Sequence, residues 1–212
     1  MFATIWEIFR ASIQRNKTII RAVSLTFFGT IVASVLLTDF AYYFSPRLFE
    51  LFNSLIQTEK QNIVFFPPYT TALYFYIFLN NIGHFWNPVR MFVWVPLLGA
   101  LALGLELLLN GVLIGSVATV VGIERGIAYP ILGLVPHGIV EVPALILEFT
   151  CIIRWQITIV EAVIAKITGE KVDRAKIKQG LKDTVILALA SIILFAIAAA
   201  IETYITPRLL GL

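Results

Sequence analysis

The chain has 212 residues, of which 59% are hydrophobic and only 14% charged, where soluble domains carry about a quarter charged. That balance excludes a soluble globular protein and implies an all-α, polytopic helical membrane protein, a single domain over 1–212 with about five transmembrane helices of roughly 20 apolar residues each. The net charge of +3 reports topology and not nucleic-acid binding, since the basic residues sit at membrane edges, and one cysteine, Cys151, excludes an internal disulfide or a multi-cysteine metal site.

Residues 1–16 set Phe2, Ile5, Trp6, Phe9 and Ile13 at helical spacing, with Glu7, Arg10, Gln14 and Arg15 opposite. The pattern suits either an amphipathic helix on the inner membrane surface or an extension of the first span, and it does not read as a cleavable signal peptide. The first span, 22–44, has Asp39 as its one charge and ends in the aromatic belt Tyr42, Tyr43 and Phe44. From Ser45 to Phe66, Pro46 opens a second amphipathic helix with the stripe Leu48, Leu51, Phe52, Leu55 and Ile56, too polar on its other face to cross.

The second span, 68–86, carries Asn80, Asn81 and His84 near its inner end and stops at Asn87-Pro88. Two amides inside a span act either as interhelical hydrogen-bonding glue or as members of a functional site. The third stretch, 91–123, is 33 residues long. One straight helix of that length would reach about 50 Å against a hydrocarbon core of about 30 Å, which predicts a bend or break near Pro96 or near Asn110-Gly111. Gly111 and Gly115 form a small-xxx-small pattern for close helix contact. Glu106, the only charge in the stretch, either pairs inside the bundle or joins a shared site.

The run Ile127 to Val135 is short and interrupted by Pro130 and Gly133, so a re-entrant segment or a buried irregular turn is expected there. A fourth span, 136–165, then starts with Pro136 in its first turn and kinks at Pro143, with Arg154 spaced to partner Glu148 or Glu161. After a charged segment with Gly169 as helix stop and Asp173 as cap, the Ala-rich last span runs 184–204 and carries Glu202 near its end. Six spans follow instead of five if Ile127 to Val135 crosses.

Of the 16 Lys and Arg, twelve fall on one side of this layout: Arg10, Arg15, Lys17, Arg21, Arg90, Arg154, Lys166, Lys171, Arg174, Lys176, Lys178 and Lys182. Only Arg47, Lys60, Arg125 and Arg208 fall on the other, so the positive-inside rule puts the amino terminus inside a cell membrane. The small-residue faces also suit a homodimer.

The polar island at 134–144 is the candidate working site. His137 and Glu141 lie one helical turn apart, and Glu148 continues their face. Ionisable groups at membrane depth are costly, by roughly 2.5–3.5 kcal/mol each on insertion scales, so those present should converge: His137, Glu141 and Glu202 with Asn80 or Asn81, and Glu106, Asn110 and His84 as further candidates. Acids, a histidine and amides on discontinuous helices are the materials of an ion or solute site, which supports a transporter or channel. His137 and Glu141 alone fall short of the three or four ligands of zinc sites, with His84 and Glu202 as the evident supplements, and no catalytic motif is present.

Asn80-Asn81, Asn110-Gly111, the run Pro136-His137-Gly138-Ile139-Val140-Glu141-Val142-Pro143-Ala144 and Ala199-Ala200-Ile201-Glu202 together resemble the stage II sporulation protein M family, over about Ile19 to Pro207. Pro136, Gly138 and Pro143 are the backbone residues of that motif. The resemblance implies an integral membrane protein that acts as a scaffold or assembly partner for other membrane proteins, as the founding member does for cell-wall hydrolases during forespore engulfment. It names no cofactor, and the sequence leaves any cofactor unknown.

Overall fold

Inside a bilayer no water is available to the backbone, so a long apolar run satisfies its N–H and C=O groups as a helix. The computed structural model describes residues 2–62 and 66–211, with side chains described for these except at 2, 3 and 55–62, and every regular element among them is helical. The side chains of Phe2, Leu55, Ile56 and Lys60 thus lie outside the described residues.

Four segments are long and apolar enough to cross a membrane: α2 (Lys17–Phe44), α6 (Leu98–Arg125), α7 (Ala128–Ile167), and the run 174–209 formed by α8 (Arg174–Tyr204) and α9 (Thr206–Leu209). The amphipathic α1 (Phe2–Arg15) precedes them, joined to α2 at Asn16. Asn16 N still donates to Ser12 O at 3.1 Å and its own carbonyl accepts from Ile20 N at 3.0 Å, so hydrogen bonding carries through the junction. The second amphipathic helix, α3 (Pro46–Asn62), follows α2 after Ser45.

Packing of α2 on α6 fixes the topology. A Cβ on Gly111 would meet Thr30 Cβ at 2.8 Å, and one on Gly115 would meet Ile31 O at 2.7 Å, so these glycines let the two backbones touch. Further along, Ser34 Oγ lies 2.9 Å from Ser116 Oγ and donates to Val112 O at 2.8 Å, while Thr38 Oγ1 reaches Ser116 Oγ at 3.3 Å. Contacts advance together along both helices, so α2 and α6 are parallel. Lipid tails are as apolar as leucine, so such helices hold through close fit and interhelical hydrogen bonds rather than by escaping water. The small-xxx-small face is therefore used within one subunit and is not free for a dimer.

Two parallel helices require the chain to return across the bundle between them, and the structure does this with a broken segment. In place of one helix over 68–86 there is α4 (Thr71–Asn81), α5 (Gly83–Trp86) and a 3-10 turn, Arg90–Trp94. At one end Tyr69 N donates to Thr203 O at 3.3 Å, and at the other Trp155 Nε1 donates to Trp94 O at 3.0 Å. Those anchors are at opposite ends of the antiparallel α7/α8 pair, in which His137 meets Thr206 and Thr158 faces Gly180. Eleven residues of α4 make only about 16 Å of helix, about half the hydrocarbon core.

The 33-residue stretch breaks beside Pro96. Val95 is extended, as a residue before proline tends to be, Leu97 takes a left-handed φ of 69°, and α6 begins at Leu98. Gly99 closes the turn, since a Cβ there would meet Val93 O at 2.5 Å. No break occurs at Asn110-Gly111, which lies inside α6.

Three expectations need correcting. Residues 128–135 form the first turns of the 40-residue α7, with no re-entrant piece. Pro136 is consequently inside the helix, as Pro143 is, and does not start it. Each proline costs one N–H to the carbonyl four residues earlier, a loss that transmembrane helices absorb locally. Arg154 pairs with neither acid: Glu148 faces His84, and Glu161 takes Lys176 at 2.9 Å. The last helix also starts earlier, at Arg174, where Asp173 Oδ1 accepts from Ala175 N and Lys176 N at 3.0 Å each, after a helix stop at Gly169 with φ 74°.

Candidate functional site

Because α4 packs chiefly on α8, it stands off α2, α6 and α7, and the gap is a cavity of about 980 Å³. Its wall is mostly apolar, with Phe27 and Ile114 among the lining, but Asn80, Asn81, Asn110, His137, Glu141 and Glu202 all face it. Among the described residues no lysine or arginine lines it.

The geometry within this upper cluster follows from the elements. One turn of α7 puts His137 Nε2 at 3.6 Å from Glu141 Oε2, and α8 brings in Glu202, so that one donor atom from each of the three lies within 4.8 Å of the others. Asn81 Nδ2, at the end of α4, donates to Glu141 Oε1 at 3.1 Å. His137 Nδ1 lies 3.4 Å from Thr206 Oγ1. Gly138 also lines the cavity, and a Cβ there would meet nothing within 4 Å, so its lack of a side chain keeps the space open.

A lower cluster lies two helical turns along α7, about 10 Å away. Buried His84 sits between two carboxylates, Nε2 at 2.8 Å from Glu106 Oε2 and Nδ1 at 3.0 Å from Glu148 Oε1. The second contact has ion-pair distance but poor hydrogen-bond angles, which leaves both atoms without a well-formed hydrogen bond. Arg90 closes the network, donating from Nη2 to Glu106 Oε1 at 2.8 Å and from Nη1 to Asn80 O at 2.6 Å. Trp94 Nε1 holds the turn by donating to His84 O at 2.8 Å.

The structure thus divides the sequence candidates between two places. His137, Glu141, Glu202, Asn80, Asn81 and Asn110 face the cavity, although Asn110 Nδ2 spends a hydrogen bond on Glu106 O of its own helix. His84 and Glu106 belong to the lower cluster, whose members range from buried His84 to Glu106 at 28% and Arg90 at 32% exposure. Sequence reasoning missed Arg90 and Thr206 and did not place Glu148 in a site. Glu148 was signalled by its position seven residues after Glu141; Arg90 carried a weaker signal, as a lone cation beside a helix break; Thr206 carried none.

Each cluster draws on the broken crossing, on α6 and on α7: Asn81, Asn110 and Glu141 above, His84, Glu106 and Glu148 below. The polar side chains of the two clusters therefore follow one another in one file along the same three parts of the bundle.

Comparison with known proteins gives the family. A model of the family described as stage II sporulation protein M matches residues 19–207, nearly the whole chain. An uncharacterized protein of Methanocaldococcus jannaschii is 32% identical over 127 residues, which is 55% of this chain and 66% of that relative, a little under two thirds of its length. No solved structure matches. The match covers all four spanning helices and both polar clusters, and the chain is an integral membrane protein belonging to the stage II sporulation protein M family.

Proposed function

We propose that this protein is a transporter or channel for an ion or small solute, with His137 and Glu141 at its binding site. One observation carries the reading: the broken crossing opens a cavity at membrane depth whose polar wall is supplied by α4, α6, α7 and α8 together. Broken helices around a polar site are how secondary transporters expose backbone and side chains to a solute, and ionisable residues inside a bundle mark such pathways. The lower cluster is the closed part of the same file, and parting Arg90 from Glu106 would open it. On this reading the basic end, with α1 and the 168–173 connection, is the inner side of a cell membrane.

The test is flux. Proteoliposomes holding the full chain should pass a cation, read by an internal ion-sensitive dye, and Glu141→Gln should abolish the flux while the protein still elutes as a folded particle. Equal flux from wild type, Glu141→Gln and empty vesicles across a panel of monovalent and divalent ions would overturn the reading.

A second reading, a membrane scaffold or assembly partner, draws on the family and on the paired lower cluster, which needs no ligand. It requires partners among other membrane proteins or a second copy of this chain. A second copy would have to use a face other than Gly111 and Gly115. In-membrane crosslinking that captures a stoichiometric partner, together with absent flux, would favour it.

A further inference from the structure

We infer that His137, Glu141 and Glu202 bind a divalent first-row transition-metal ion. This deepens the transport reading by naming the class of species carried, and in that respect rests on it. The first support is spacing. Metal bonds of about 2.1 Å in tetrahedral geometry put donors about 3.4 Å apart. His137 Nε2 and Glu141 Oε2 already stand 3.6 Å apart, and all three donors lie within 4.8 Å. The widest pair must close by up to about 1.4 Å, within the swing of a glutamate side chain.

The second support is the outer bonding. Histidines that hold a metal generally commit their other ring nitrogen to a neighbour, and ligating carboxylates are themselves hydrogen-bonded. Here Nδ1 of His137 faces Thr206 Oγ1 at 3.4 Å, and in the tautomer in which Nδ1 donates to that hydroxyl, Nε2 presents its lone pair toward Glu141. Asn81 donates to Glu141 Oε1 and leaves Oε2, the oxygen nearer His137, free for a cation. Neither contact was signalled by the metal-ligand spacing alone.

Charge supplies the third. Two carboxylates share one corner of a cavity that no described lysine or arginine lines, and in a low-dielectric surrounding their repulsion is costly. A divalent cation neutralises both. An imidazole among the donors selects transition metals over Mg²⁺ and Ca²⁺, and the absence of a thiolate selects against Cu⁺, since Cys151 is buried elsewhere with its Sγ on Glu148 O. Three protein ligands also leave a coordination position facing the cavity, as an exchangeable ion needs.

The experiment uses the full chain in nanodiscs, stripped with a chelator and then titrated with Zn²⁺, Mn²⁺, Mg²⁺ and Ca²⁺ by calorimetry, with Co²⁺ absorption as a ligand-field readout. One Zn²⁺ or Mn²⁺ per chain is expected, with Mg²⁺ and Ca²⁺ at least tenfold weaker. Glu141→Gln and Glu202→Gln should each weaken binding by roughly 100-fold, and Thr206→Val, which touches no ligand atom of the ion, by about tenfold. Should either glutamine variant misfold, Thr206→Val and the Co²⁺ spectrum still decide: unchanged affinity and a spectrum without nitrogen ligation overturn the site. Wild type binding no more metal than the two glutamine variants overturns it as well. Metal binding without flux defeats the transport reading and leaves a resident ion; flux of another solute through a chain that binds no metal defeats this inference alone.

Discussion

At the scale of single residues, the lower cluster makes a sharp prediction. His84 is the shared partner of Glu106 and Glu148, and Glu148 has no other described ion pair. Removing one member of a buried ion network costs about 3–5 kcal/mol, because the remaining charge stays buried without compensation, whereas replacing both members by apolar groups is often near neutral. His84→Leu should therefore lower stability by about that amount, and adding Glu148→Leu should recover a large part. Thermal unfolding of the two variants in one detergent checks this, and a double variant as unstable as the single one contradicts it. The glycines offer a second comparison. Gly115→Leu forces a side chain into the Ile31 backbone and should cost about 1–3 kcal/mol or more, while Gly138→Ala, with open space around it, should be neutral or slightly stabilising. His137 and Glu141 of the upper cluster were legible from their helical spacing and from the energetic argument that charges in a bundle must gather. Glu202 could be read only as a candidate, because its neighbour across the cavity comes from α7, and no one-dimensional pattern encodes which faces of α7 and α8 meet.

At the scale of elements, the second crossing sets the behaviour of the site. Asn80 lies one residue before the end of a helix too short to cross, its side chain faces the cavity, and its carbonyl accepts a hydrogen bond from Arg90. A cysteine introduced there, in a Cys151→Ala background, should react with a small water-soluble thiol reagent in intact membranes, whereas one at buried Leu103 on α6 should not. Equal inertness at both positions would mean that the cavity is dry and would remove the ground for transport. The sequence showed where helices stop, at Asn87-Pro88 and at Pro96, because proline acts on its own neighbours. It misled at Pro136, whose position suited a helix start, because the apolar run before it extends the helix upstream and the bundle tolerates the missing hydrogen bond. The break within 68–86 was not legible either, since Ile82 and Gly83 carry no strong stop signal. What ends α4 is tertiary: buried His84 turns inward to reach Glu106 and Glu148.

At the scale of the whole molecule, topology follows from register rather than from counting apolar stretches. Among the described residues only four segments have the length and hydropathy of a full span, and an even number of crossings would return both ends of the chain to one side. The parallel register of α2 and α6, set by Gly111 against Thr30, Gly115 against Ile31 and Ser116 against Thr38, rules that out, since a chain leaving α2 at one end must enter α6 at the other. The broken segment 71–94 therefore returns the chain from one end of the bundle to the other, and its anchors at Thr203 and Trp155 lie at the two ends accordingly. Arg47 and Arg125, which follow the ends of α2 and α6, should share one side, and Lys171, in the connection between α7 and α8, should lie on the other with Arg10. Single cysteines at these four positions, again with Cys151→Ala, give a direct reading through an impermeant maleimide applied to cells before and after lysis. We expect Arg47→Cys and Arg125→Cys to label in intact cells, and Lys171→Cys and Arg10→Cys only after lysis, as the basic end prefers the inner side. Labelling of Arg47→Cys and Arg125→Cys on opposite sides would break the parallel register, and with it the cavity that α4, α6, α7 and α8 enclose.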